Sequence, residues 1–214
     1  PLKATDFSSY IAPVLNSGAD VLVLNHYGGN MVNSLTNAVQ FGLRDKVVNN
    51  KNFEIIVPLY SRLMAKGAGE NVKGIFGSTN WHWSLQDRDD ASKAFVRSFG
   101  AKYGFPPSQA AHTVYCQTLL YADACNRAGT FNPCGVGEAL EGFEFDGLGN
   151  GKTLYRADDH QCFKDVLVVK GKDNPTDEND LLEIVEVTPA AQVTYEPSHP
   201  MFAGGDLGAC NPGA

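Results

Sequence analysis

The stretch Asp20-Val21-Leu22-Val23-Leu24-Asn25-His26-Tyr27-Gly28-Gly29-Asn30-Met31 decides the fold. Val21 to Leu24 is an unbroken apolar run, the pattern of a short strand covered on both faces. Glycines follow it, and from about Met31 to Phe41 the apolar residues recur at helical spacing until Gly42 stops them. Strand, glycine loop and helix make half of a βαβ unit. Upstream, Phe7, Tyr10, Ile11, Val14 and Leu15 share a helical face behind the capping residue Asp6, with Gly18 as the stop. Downstream, Phe53 to Val57 reads as a second strand, Ser61 to Lys66 as a short helix and Val72 to Phe76 as a third strand. This alternation predicts an α/β fold with a parallel sheet flanked by helices.

From Ser78 the rhythm changes. A loop rich in Trp and Asp leads to a helix over Ala91 to Tyr103, capped by Asp90 and ended by Gly104 and Pro106-Pro107. Ser108 to Ala128 reads as a long helix, apolar on most sides and therefore expected to be buried. Asn132-Pro133 is a cap followed by Pro and starts a helix to about Leu140. Phe163 to Lys170 and Leu182 to Thr188 are strand candidates, and the Pro- and Gly-rich stretch beyond them reads as an extended tail. The first element is a helix with no strand ahead of it, so an α/β lobe of this kind is expected to continue N-terminal to Pro1.

The 17 basic and 24 acidic residues leave a net charge of −7, with no cluster of Lys and Arg to meet phosphates, so no nucleic-acid partner is expected. No apolar run is long enough to span a bilayer, and no targeting segment opens the chain, so no membrane insertion of this segment is expected. Five cysteines suit an oxidising compartment. Cys125 and Cys134 flank a short Gly-containing link, and Cys162 meets Cys210 if the tail folds back. The spacing does not fix the pairing, and buried free thiols are the alternative.

Three stretches carry a family resemblance. They are Asp6-Phe7-Ser8-Ser9-Tyr10 through Ser17-Gly18-Ala19-Asp20-Val21-Leu22, then Gly74-Ile75-Phe76-Gly77 with Ala91-Ser92-Lys93-Ala94-Phe95-Val96, and Ala111-His112-Thr113-Val114-Tyr115 through Arg127-Ala128-Gly129-Thr130. In this order and spacing they resemble the C-terminal half of type I periplasmic solute-binding proteins of ABC transporters, in the branched-chain amino-acid-binding family. The resemblance implies two Rossmann-like lobes joined by three crossings, with a small-molecule ligand between them. Residues 1–77 would be most of lobe two, 78–146 part of lobe one, and 147–214 the return to lobe two with the C-terminal tail. It further implies a periplasmic location, an ABC membrane permease as partner, no cofactor and no catalytic role. A ligand sensor on the same fold is the alternative.

Ligands of open parallel sheets sit beyond the carboxyl ends of the strands. Asn25, His26 and Tyr27 follow the first strand, and Tyr27 matches a tyrosine that the family places against its ligand; a plain turn with a half-buried Tyr is the other reading. Pro58-Leu59-Tyr60-Ser61 follows the second strand. Amino-acid binders of the family carry a Glu at about Leu59, and the leucine here points to a ligand without a cation, such as an organic acid or an amide. Tyr60 would offer its ring or hydroxyl. Trp81, ahead of Trp83, is a candidate to wall an apolar cleft or stack on a planar ligand, with hinge packing as the equal alternative.

Two other stretches mimic chemistry. Gly147-Leu148-Gly149-Asn150-Gly151-Lys152-Thr153 lacks the leading Gly of a phosphate-binding loop, since Asp146 stands there, and reads as a turn before a strand. Asp158 to Cys162 gathers metal-capable groups without a second set of ligands and reads as a solvated turn. His160 with Cys162 is the pair that an α/β hydrolase would need.

Overall fold

The computed structural model describes residues 4–201 and 210. The chain divides into two compact units, Pro1–His82 with Leu167–Val187, and Trp83–Val166 with Thr188–Ala214.

The first unit opens with α1 (Ser8–Asn16), β1 (Val21–Val23) and α2 (Gly29–Gln40). A two-stranded ribbon follows, β2 (Val47–Val48) and β3 (Lys51–Asn52), whose turn residues Asn49 and Asn50 both have positive φ, as a tight hairpin requires. Then come β4 (Glu54–Val57), α3 (Arg62–Ala68), a 3-10 turn at Gly69–Val72 and β5 (Phe76–Thr79). The chain re-enters this unit with β8 (Val166–Gly171) and β9 (Leu182–Thr188). The main sheet has the order β1-β4-β5-β8-β9, with β1, β4 and β5 parallel and β8 antiparallel to β5. Along α2, Met31, Leu35 and Ala38 are buried at helical spacing, and Ile55, Val57, Leu167 and Val169 are buried on the strands. Each large apolar side chain removed from water in this way contributes about 1.5–3 kcal/mol.

The second unit holds a 3-10 turn at Trp83–Arg88, then α4 (Asp90–Tyr103), α5 (Gln109–Ala128), α6 (Pro133–Leu140), the hairpin β6 (Glu144–Asp146) with β7 (Lys152–Leu154), and α7 (Ala190–Val193). Three of its helices, α4, α5 and α6, start on side-chain caps. Asp89, one residue before the expected cap, accepts from the Ser92 amide at 2.7 Å, Ser108 from Ala111 at 3.3 Å and Asn132 from Cys134 at 2.9 Å. Gly104 and Gly129 close α4 and α5 in the left-handed conformation.

Several expectations are corrected. The third strand begins at Phe76 rather than Val72, because Val72 ends the 3-10 turn and the Ile75 amide donates back to its carbonyl. β1 is not covered on both faces: Val21 and Val23 are exposed, and among the described residues β4 is its one sheet neighbour. α5 buries His112, Cys116, Ala124 and Cys125 but leaves Val114, Tyr115, Leu119 and Tyr121 exposed. Residues 147–166 stay in the second unit, because β6 and β7 pair locally behind α6, and the chain returns to the first unit at Leu167. The stretch from Thr188 also belongs to the second unit. There the Ala190 amide donates to Asp165 at 2.8 Å, Arg156 Nη1 donates to the Tyr195 carbonyl at 2.6 Å, and Cys134 is bonded to Cys210. That disulfide replaces both expected pairings. Cys125 is directed into an apolar cluster with Ala124 and Val136, and Cys162 keeps a free thiol.

Candidate functional site

Because β1, β4 and β5 are parallel neighbours, in register through Val23 with Ile56 and Val57 with Gly77, their carboxyl ends share one edge of the first unit. The loops leaving these ends meet there. Backbone bonds join them: the Leu24 amide donates to the Ile56 carbonyl at 2.8 Å, and the Tyr60 amide to the Ser78 carbonyl at 2.8 Å. The Ser78 hydroxyl donates to the Pro58 carbonyl. Between β1 and α2, Gly28 has φ 59° and ψ −136°, a conformation that only glycine adopts without strain. Among the described residues no side chain caps α2, whose first turn opens at this edge.

The edge sorts the candidate residues into two sets. Asn25 is exposed, Tyr27 is 58% exposed and Leu59 is 63% exposed. His26 is half-buried, with Nδ1 2.9 Å from the Ser34 hydroxyl and its ring 4.9 Å from that of Phe7, which fixes the imidazole against α1 and α2. Tyr60 is 1% exposed, so it does not offer its ring to a ligand as expected. The backbone explains this. Gly77 on β5 has no side chain, and the Tyr60 ring occupies the space where a Cβ would stand. The Tyr60 hydroxyl has no hydrogen-bond partner among the described residues, and burial pushes its pKa far up, which keeps it protonated. Trp81 is 1% exposed, an interior side chain whose carbonyl accepts from the Thr79 hydroxyl at 3.3 Å. Of the expected residues, Tyr27, Leu59 and Asn25 are the ones that stand exposed at this edge.

Beside the edge lie two buried polar groups that the sequence does not single out. Arg62, in the first turn of α3, is buried and donates from Nη1 to Asn179 at 2.7 Å. Burial lowers its pKa while Asp177 and Glu178 raise it. His82 is buried, and desolvation pushes its imidazole down to about 4. No local pattern betrays either residue, since their partners come from the β8–β9 connection roughly a hundred residues away in the chain.

In the second unit, His160 Nε2 lies 3.0 Å from Glu141, and the Cys162 thiol is pushed up by burial, the opposite of an activated nucleophile. Residues 147–151 form the turn between β6 and β7, where the Gly147 carbonyl lies 2.9 Å from Nε2 of the fully buried His112. Among the described residues no group of three or more His, Cys, Asp and Glu side chains is placed to hold a metal ion. No helix among them is long and apolar enough to cross a membrane.

The same architecture occurs in known proteins. A periplasmic binding protein from Burkholderia mallei is 26% identical and superposes with a TM-score of 0.76 over 91% of this chain and 50% of its own. A branched chain amino acid ABC transporter periplasmic ligand-binding protein from Burkholderia xenovorans LB400 is 26% identical, with a TM-score of 0.70 over 90% of this chain and 50% of its own. An amino acid ABC transporter substrate-binding protein from Pseudomonas fluorescens Pf-5 is 24% identical, with a TM-score of 0.74 over 88% of this chain and 49% of its own. The chain thus spans about half the length of the structures it matches. The profile of the family described as periplasmic binding protein matches residues 1–176, most of the sequence. The chain belongs to the periplasmic binding protein family.

Proposed function

We propose that this chain is part of an extracytoplasmic solute-binding protein, which captures a small organic ligand and presents it to the membrane permease of an ABC-type importer. One observation carries the reading. In a chain of this family, the carboxyl ends of three parallel strands meet at one edge, where Tyr27 and Leu59 stand exposed on loops that are otherwise held by backbone hydrogen bonds. Large exposed apolar groups on a fixed frame are what a binding wall needs: little ordering is required when the ligand arrives. The names of the similar proteins from Burkholderia xenovorans LB400 and Pseudomonas fluorescens Pf-5, both tied to ABC transport, support the same role.

The role is binding rather than catalysis, in the periplasm, with the ligand drawn from amino acids, organic acids and amides. Thermal-shift screening of the intact protein against those three classes tests it. A ligand that raises the melting temperature of the intact protein, and does so less for Tyr27→Ala, supports the reading; no response to any class overturns it.

A further inference from the structure

The chain passes between the two units three times: after His82, after Val166 and after Val187. The third passage differs from the other two. It leaves from β9, the edge strand of the five-stranded sheet, and enters residues 188–201, none of which is buried. A stretch that buries so little gains little from the hydrophobic effect. Fixing each of its backbone residues costs conformational entropy, which scattered hydrogen bonds such as those from the Ala190 amide to Asp165 and from Arg156 to the Tyr195 carbonyl do not return.

The bond between Cys134 and Cys210 supplies the missing hold. Cys134 stands in the first turn of α6, Cys210 is exposed, and 76 positions separate them. The bond closes a covalent ring that begins in the second unit, runs through the whole of Leu167–Val187 in the first unit and returns to the second. With the ring closed, the third passage is fixed at both ends. With it open, the passage leads into exposed residues held by noncovalent bonds alone. We propose that residues 188–201, closed by this disulfide, are a strap that limits how far the two units can part, and that a dithiol reductant releases it. In the release two electrons and two protons pass to the sulfurs of Cys134 and Cys210, the S–S bond breaks into two thiols, and the dithiol becomes a disulfide. The strap acts through the connectivity of the chain, whether or not a ligand is bound.

Small-angle X-ray scattering of the intact protein, without ligand, before and after treatment with dithiothreitol tests it. Reduction is expected to raise the radius of gyration and to lengthen the longest interatomic distance. The double variant Cys134→Ala with Cys210→Ala is expected to show the wider profile without reductant and to respond no further to dithiothreitol, with circular dichroism confirming that it is folded. A second variant keeps the disulfide and lengthens the strap: nine Gly and Ser residues inserted after Val187 add on the order of 15 Å of reach. It is expected to widen the profile as reduction does. Widening by both supports the strap, and a parent-like profile in either one, with the protein folded, overturns it. Where loss of the disulfide unfolds the protein, the insertion decides alone, a wider profile supporting the strap and an unchanged one overturning it.

Discussion

The side chain of Tyr60 stands where Gly77 has none: a Cβ on Gly77 would lie 2.6 Å from both Cβ and Cδ1 of Tyr60 and 2.4 Å from the Val57 carbonyl oxygen. Two of these three neighbours belong to backbone or to a ring held in the core, so neither can step aside cheaply. Gly77→Ala is expected to destabilise the first unit by about 1–3 kcal/mol through overpacking. A lower denaturant midpoint measures it, and an unchanged midpoint would show that the packing of Tyr60 has been misread.

Tyr27 behaves in the opposite way. Its ring is 58% exposed, so Tyr27→Ala is expected to leave the unfolding free energy within about 0.5 kcal/mol of the starting value. Ligand affinity is expected to drop about 10-fold or more, as the loss of an aromatic anchor produces. Parallel melting curves and calorimetric titrations separate the two effects.

Acid is expected to loosen the structure through its buried histidines. Burial pushes His82 and His112 down to about 4 from an ordinary value of 6.5. Between those values the unfolded chain binds protons that the folded one does not, so stability falls as the pH drops from about 6.5 towards 4 and is fully present above that window. Each histidine is expected to contribute about 1–3 kcal/mol to the decline. His112→Gln loses the contact with the Gly147 carbonyl at neutral pH, and its stability is expected to fall less steeply with acid. An identical slope in variant and parent would remove His112 from the account.

The C-terminal stretch is expected to depend on the link between Cys134 and Cys210, which are 76 residues apart in sequence. Reduction, or Cys134→Ser, is expected to cost about 2–4 kcal/mol and to raise the rate of proteolysis beyond Thr188. Arg156→Ala, which removes the bond to the Tyr195 carbonyl, is expected to add to that sensitivity. Limited proteolysis followed by mass spectrometry locates the new cuts.

Much of the first unit is legible in its residues. The apolar runs at Val21–Val23 and Ile55–Val57 and the stops at Gly18 and Gly42 give elements in their correct order, because these signals are local. Where the third strand starts is less legible, since Val72 and Ile75 suit a strand as well as the turn they form. The exposed faces of β1 and α5 escape the sequence for another reason. An apolar pattern states what a surface can bury, and not what is present to bury it. The place of Tyr27 and Leu59 on loops after a strand is readable from the sequence. The burial of Tyr60 is not, because it depends on Gly77, a neighbour supplied by β5, and the same is true of Arg62 and His82 with their distant partners.

The antiparallel pairing of β5 with β8 joins residues such as Thr79 and Leu167, roughly 90 positions apart. During synthesis on a ribosome, the whole of Trp83–Val166 emerges before β8 does. That continuous insert can condense first on its own short-range helix contacts, while β1, β4 and β5 wait with one flank of β5 open. The slow event in folding is then the capture of that flank by β8, and an open parallel edge held in the meantime is where misassociation between nascent chains would begin.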